Sequence, residues 1–291
     1  MTINEAARHL LLQLKQTYDA REAGNIADWV MENLTGSKKS DRILQKELPL
    51  TEMLCNKLNR YINELNLHRP VQYVLEEAWF LGMKFYVNEN VLIPRPETEE
   101  LVQWIVDDNK NSGQVTIFDI GTGSGCIPIA LKKIMQLADV YSCDISEEAL
   151  EVAKENAKVL GANVKFLTID ILDRPVWNKI PLINIIVSNP PYIPMKEKLS
   201  MNKNVVAHEP HQALFVEDSN PLAFYESIAA LGNKKLLPSG KIFVEIHEGL
   251  AKETAEVFKS AGFAQVEIKT DMQGKQRMIK AALLHPGLIY H

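Results

Sequence analysis

Val115-Thr116-Ile117-Phe118-Asp119-Ile120-Gly121-Thr122-Gly123-Ser124-Gly125-Cys126 is an apolar run that stops in three alternating glycines. The first half predicts a strand covered on both faces, 115–120. Glycines directly after it let a ligand come close to the backbone, and the amide hydrogens of a following helix N-terminus are free to meet it. The spacing is GxGxG. A dinucleotide loop needs GxGxxG, and Cys126 occupies the place of the third glycine. An adenosyl ligand without a pyrophosphate makes no such demand. A tight strand–helix turn with no ligand is the alternative reading of the same residues.

Around this segment, helices and short apolar strands alternate from about residue 97 onward, the pattern of a parallel α/β sheet. The predicted strands are 115–120, 140–143, 164–169, 183–188, 241–246, 265–270 and 277–283. No helical stretch separates the last two, so they read as a hairpin that adds an antiparallel strand to a mostly parallel sheet. Asp144 ends the second strand, where its carboxylate can accept both hydroxyls of a ribose; a capping or surface carboxylate is the alternative. Ser146 can cap the next helix, Glu147 and Glu148 suit its positive end, and Gly161 can stop it.

Upstream the pattern is helical. Ile3, Ala6, Ala7, Leu10, Leu11 and Leu14 recur at three- and four-residue intervals, as do apolar residues in 26–31 and 53–65, with Gly24, Gly36 and 37–40 as punctuation. Trp79 to Leu81 and Phe85 to Val87, with Gly82 between them, predict two short strands and a turn. Pro94-Arg95-Pro96 then holds an extended connector. The expected organisation is a helical bundle at 1–75, a β-hairpin linker at 76–96 and an α/β domain at 97–291.

Ser188-Asn189-Pro190-Pro191-Tyr192 directly follows the predicted strand 183–188. A proline turn ending a strand is the plain reading. The chemical reading starts from a planar NH2 group, whose delocalised lone pair makes it a poor nucleophile. The Asn189 side-chain oxygen can accept one of its N–H bonds and the Pro190 carbonyl the other. Successive prolines stiffen that corner and bring no competing donor. Tyr192 can stack on the flat group. Catalysis would then be positioning, with dipoles set against charge developing on nitrogen.

The 291 residues are 46% hydrophobic and 24% charged, with a formal net charge of -5. That composition excludes an intrinsically disordered chain and argues against a general nucleic-acid binder, which carries a basic excess. No apolar stretch approaches a membrane span, and the first residues lack a signal-peptide pattern. Cys55, Cys126 and Cys143 show no CxxC spacing, so reduced thiols and a cytoplasmic protein are expected. His208 and His211 flank Glu209-Pro210; the proline breaks a helix and no third ligand is evident, so a surface loop is preferred and no metal is expected. Lys38-Lys39 and Lys234-Lys235 read as solvated charge.

GTGSG at 121–125, the acid at Asp144 and NPPY at 189–192 together resemble the S-adenosylmethionine-dependent amino-methyltransferases, and most closely the PrmC/HemK family. Arg69-Pro70-Val71-Gln72-Tyr73, Ile93-Pro94-Arg95-Pro96-Glu97-Thr98-Glu99, Glu209-Pro210 and Gly274 with Arg277 extend the resemblance over most of the chain. It implies a Rossmann-like class I methyltransferase domain behind a helical domain that docks a class I peptide chain release factor. It implies S-adenosyl-L-methionine as methyl donor, contacted by Gly121, Thr122, Gly123, Ser124, Gly125, Asp144, Asp170, Ile171 and Asn189. Asn189, Pro190, Pro191 and Tyr192 would grip the glutamine of the factor's Gly-Gly-Gln motif, with Asn189, Pro190 and Tyr192 catalytic. Departures from the family pattern are Ile171 in place of an aromatic, Glu76 and His247 in place of glycines, and Phe215-Val216-Glu217 in place of a glycine-rich run. Arg95, Glu97 and Thr98 read equally as cofactor contacts or braces. The alternatives are a ribosomal-protein glutamine methyltransferase, a DNA or RNA adenine amino-methyltransferase (disfavoured by the charge), and a silent cofactor-binding module.

Overall fold

The computed structural model describes residues 1–201 and 203–283, so residues 284–291 of the expected 97–291 domain lie outside it. The described chain divides into a smaller unit, 1–77 with 203–208, and a larger one, 78–201 with 209–283.

The smaller unit begins with five helices: α1 (Ile3–Leu14), α2 (Ala20–Thr35), α3 (Lys39–Leu44), α4 (Glu52–Asn66) and α5 (Val71–Leu75). The three-and-four spacing reappears as a shared core in which Leu10, Leu14, Val30, Leu58 and Leu65 are fully buried. Thr2 and Glu5 close a reciprocal capping box on α1, and the Asp19 carboxylate caps α2. Gly36 ends α2 at φ 66°, as its reading required. Gly24 is not punctuation: it lies inside α2, where tertiary packing overrides its weak helix propensity. The Glu77 carboxylate ties α2 to the end of the unit, accepting from Trp29 Nε1 at 2.6 Å and Asn33 Nδ2 at 2.9 Å.

α5 stops at Glu76, an exposed residue at φ 56° in the left-handed region. An L side chain is strained there, whereas glycine is not. Glu76→Gly is therefore expected to stabilise the protein by about 0.5–1 kcal/mol, the relief of strain exceeding the extra freedom glycine gives the unfolded chain. A urea midpoint that falls on this substitution would contradict the argument.

The larger unit opens with the hairpin β1 (Ala78–Phe80) and β2 (Met83–Phe85), turned by Leu81 and Gly82 at φ 47° and 73°. Pro96 then starts α6 (Pro96–Asp108), since a first helical position has no use for an N–H. The sheet strands are β3 (Thr116–Ile120), β4 (Asp139–Asp144), β5 (Val164–Thr168) and β6 (Ile183–Ser188). After β7 (Ile193–Pro194) and β8 (Phe215–Val216), which pair only with each other, come β9 (Leu236–Glu245), β10 (Gln265–Thr270) and β11 (Gln276–Ala282). The intervening helices are α7 (Cys126–Ile134), α8 (Glu147–Leu160), α9 (Lys203–His208), α10 (His211–Leu214), α11 (Ala223–Lys235) and α12 (Ala251–Ser260), of which α9 belongs to the smaller unit.

The seven sheet strands run in the order β10-β11-β9-β6-β3-β4-β5. All neighbours are parallel except β11, which pairs antiparallel with both β9 and β10, as the C-terminal hairpin predicts. Ile117 packs with Trp104 and Phe243 on one face, while Phe118 and Ile120 pack with Phe258 on the other. Burial on both faces explains the uninterrupted apolar run. The chain leaves β3 for β4 and β5 on one side and then crosses to β6 on the other. Such a reversal opens a crevice outside the carboxyl ends of the strands, where open α/β sheets bind ligands.

Besides Gly24, three readings need correction. The second hairpin strand is Met83–Phe85 rather than 85–87, because Leu81 joins Gly82 in the turn and shifts the pairing back. β9 begins at Leu236 rather than 241: between Ile183, opposite Leu236, and Ile185, opposite Lys241, the strand bulges through Ser239 at φ 64°. Lys235 is not simply solvated, because its Nζ donates to the Ile180 carbonyl at 2.6 Å. No helix among the described residues is long and apolar enough to cross a membrane.

Candidate active site

Ile120 and Ser188 are register partners, so the glycine loop and the proline corner leave adjacent strands at one level. Ser188 Oγ donates to the Ile120 carbonyl at 2.7 Å and locks the two exits together. A cavity of about 360 Å³ opens there. Its wall contains Gly121, Thr122, Gly123 and Ser124, then Asp144, Asp170 and Ile171, and also Asn189, Pro190 and Pro191.

The loop is held from behind. Gly121 and Gly123 have φ of 75° and 52°, which glycine adopts without strain. Gly123 N donates to Asp144 Oδ2 at 2.9 Å and Ser146 N to Oδ1 at 3.0 Å. Each Asp144 oxygen keeps a second lone pair. Burial pushes the Asp144 carboxyl up, and these backbone bonds pull it back. Ser146 caps α8 as expected.

Gly125 does not line the cavity. A Cβ on it would stand 3.0 Å from Ile129 Cδ1 and 3.1 Å from Ala153 Cβ, so its bare backbone lets α7 and α8 pack closely. Asn156 on α8 supports the loop: its Nδ2 donates to the Ser124 carbonyl at 2.9 Å, while its amide pairs with the backbone of Tyr86. Ile171 lies in the wall with its carbonyl fixed by Trp177 Nε1 and Ser227 Oγ.

The proline corner is backed by a buried acid. Glu245, 1% exposed at the end of β9, accepts from Thr98 Oγ1 at 2.7 Å and from Tyr192 Oη at 2.9 Å. Asn189 Nδ2 donates to the same Thr98 Oγ1 at 3.1 Å. Burial pushes the Glu245 carboxyl up, opposed by the two hydroxyls and by the positive charge of Arg277. Tyr192 differs from its reading. It is absent from the cavity wall, its ring meets His247 edge-on at 6.2 Å and its hydroxyl is committed to Glu245, so burial and the neighbouring acid push the phenol well up.

Sequence left Arg95, Glu97 and Thr98 undivided, and the structure separates two of them. Both Thr98 and Arg95 reach the cavity wall, but Thr98 is buried and bonded to Asn189 and Glu245, whereas Arg95 pairs with the buried Glu209 at 2.6 Å. Glu209, between the two histidines, thus serves Arg95, and the His211 ring packs edge-on against Phe215 at 5.4 Å. No group of three metal-ligating side chains occurs among the described residues. His247 holds the following turn through Nδ1, which accepts from Gly249 N at 3.0 Å, and its Nε2 lies 3.1 Å from Glu197 Oε2.

Residues 98–214 match the methyltransferase small domain and residues 5–75 the PrmC N-terminal domain. A release factor glutamine methyltransferase of Flavobacterium psychrophilum is 38% identical over 283 residues, covering 96% of this chain and 99% of that protein. The chain belongs to the release factor glutamine methyltransferase family. A second member, from Bacteroides thetaiotaomicron, is 36% identical over 96% of this chain and 99% of its own. The T. thermophilus 16S rRNA N2 G1207 methyltransferase, solved with AdoMet and guanosine, shares the fold at TM-score 0.52 and 16% identity, covering 71% of this chain and 49% of that one.

As an enzyme of this family the protein uses S-adenosylmethionine, and the cavity suits it. Thr122 Oγ1 and Ser124 Oγ are buried in the wall with no hydrogen-bond partner, so polar groups of a ligand can complete them. Asp144 has spare lone pairs that ribose hydroxyls could meet, and Ile145, Ile171 and Leu172 line the cavity with apolar surface on which a flat base could lie.

Proposed function

We propose that this enzyme methylates the side-chain nitrogen of the glutamine in the Gly-Gly-Gln motif of class I release factors, with Asn189 and Pro190 holding the carboxamide. The observation that carries this reading is the shared wall: Asn189, Pro190 and Pro191 border the same cavity as Gly121 to Ser124 and Asp144. S-adenosylmethionine, when bound, supplies a methyl carbon made electrophilic by its positively charged sulfur. The work left to the protein is to aim a reluctant nitrogen.

Asn189 Oδ1 accepts one N–H of the glutamine and the Pro190 carbonyl accepts the other. With both hydrogens held, the lone pair is directed away from the corner, and positive charge growing on nitrogen meets two fixed dipoles. No general base is needed before transfer, because the nitrogen becomes acidic only after it is alkylated. Tyr192 acts from behind, tying the corner to Glu245. Asp144 and the loop residues Gly121 to Ser124 hold the cofactor, and Ile171 packs on its base. The helical unit, 1–77, carries the body of the release factor, in the cytoplasm where translation ends, and no nucleic acid is the substrate.

Mass spectrometry of a purified release factor after incubation with enzyme and S-adenosylmethionine tests the reading. A gain of one methyl on the Gly-Gly-Gln glutamine is expected. An unmodified factor alongside methylated adenine, or a methylated ribosomal protein, would overturn it.

A further inference from the structure

We propose that Thr98 and Glu245 form a positioning relay that fixes the Asn189 amide with its oxygen, rather than its nitrogen, turned toward the substrate. The proposal rests on the reading of Asn189 as the acceptor for the glutamine.

The argument is a count of hydrogens. Glu245 lies 147 positions from Thr98 in the chain, and as a carboxylate it has only acceptors to offer. Two hydroxyls converge on it, Thr98 on Oε2 at 2.7 Å and Tyr192 on Oε1 at 2.9 Å. A threonine hydroxyl carries one hydrogen. Once that hydrogen is committed to Glu245, Thr98 Oγ1 can only accept from Asn189. The Asn189 NH2 therefore faces Thr98, at 3.1 Å, and its oxygen faces the other way.

Turned over, the amide would oppose its oxygen to the lone pairs of Thr98 and present its own N–H groups to the incoming NH2. Neither contact is tolerable where water is excluded. The polarity thus originates at Glu245 and reaches the substrate through two side chains. It also gives a buried acid a task that packing alone would not need, since an apolar residue fills such space at less cost. Thr98 itself lines the cavity, so the relay ends at the wall.

Thr98→Val keeps the shape and removes the hydroxyl, and Thr98→Ser restores it. With a release factor as substrate, Thr98→Val is expected to lower kcat about tenfold to a hundredfold. Its Kd for S-adenosylhomocysteine, measured by calorimetry, and its KM for the release factor should change by less than about threefold. Thr98→Ser should recover kcat to within about threefold. Glu245→Leu, which leaves Thr98 no acceptor, should fall as Thr98→Val does. If Thr98→Val fails to fold, Thr98→Ala carries the same expectation.

A Thr98→Val enzyme with kcat within about twofold of wild type, while Asn189→Ala is inactive, overturns the relay alone. So does Thr98→Ser as slow as Thr98→Val, because a shape defect rather than a lost acceptor would then be the cause. An active Asn189→Ala overturns the relay together with the reading beneath it.

Discussion

Replacing Asn189 with alanine is expected to lower kcat with a release factor substrate by about a hundredfold to a thousandfold, the loss seen when one preorganised polar partner of a transition state is removed. The side chain does two things here, and alanine removes both. Under the proposed function its oxygen is the acceptor that directs one amide hydrogen, while its Nδ2 donates to Thr98 Oγ1. Charge develops on the substrate nitrogen only as the new bond forms, so the interaction strengthens toward the transition state and its loss belongs in kcat. Cofactor affinity should change far less, because Gly121 to Ser124 lie in the loop after β3, Asp144 ends β4, and both keep their own hydrogen bonds. Steady-state kinetics with calorimetric titration of S-adenosylhomocysteine separate the two quantities. A variant that keeps more than about a tenth of wild-type kcat would show that the corner does not aim the nitrogen.

What sequence exposed and what it hid follow from the range of the interactions. Glycines in the left-handed region, a proline pair after a strand, and an acid at a strand end are local features, and they placed Gly121, Gly123, Asp144 and Asn189 on one cavity. Gly125 shows the limit of such a reading. Its neighbours line the wall, yet its lack of a side chain is used against Ala153, a contact that no local spacing reveals. Thr98 with Glu245, Arg95 with Glu209 and Asn156 with Tyr86 join residues separated by 147, 114 and 70 positions. Nothing in the chain near either partner announces the pairing. One signal was nevertheless present: Glu245 follows Ile242, Phe243 and Val244, and a lone acid closing a buried parallel strand sits where sheets of this kind place their ligands. Gly24 and Lys235 were misread for a related reason, since packing and a distant carbonyl decided them.

A second acid on the same sheet should make stability fall as pH rises. Asp119 is wholly buried on β3, and burial, reinforced by the charge of Asp144, pushes its carboxyl up to about 7 against the bond from Ser142 Oγ at 2.6 Å. The folded state therefore holds this proton more tightly than the unfolded chain does. The folded pKa is the raised one, so the associated stability is complete below about 4 and disappears as pH climbs to about 7. Between pH 5 and pH 8 the folded protein must release a proton into a site with no partner for Asp119 Oδ1, and at about 1.4 kcal/mol per unit the loss is about 3 kcal/mol. Asp119→Asn removes the titration while keeping the shape and an acceptor for Ser142. Its absolute stability shifts, because an NH2 replaces a carboxyl oxygen in a buried site, but that offset is the same at both pH values. The test is consequently the difference between wild type and variant, measured by urea unfolding at pH 5 and at pH 8. Wild type should lose about 3 kcal/mol more than Asp119→Asn across that interval. Parallel losses in the two proteins would mean that Asp119 is already charged at pH 5, and that the end of β3 stabilises an anion that burial there disfavours.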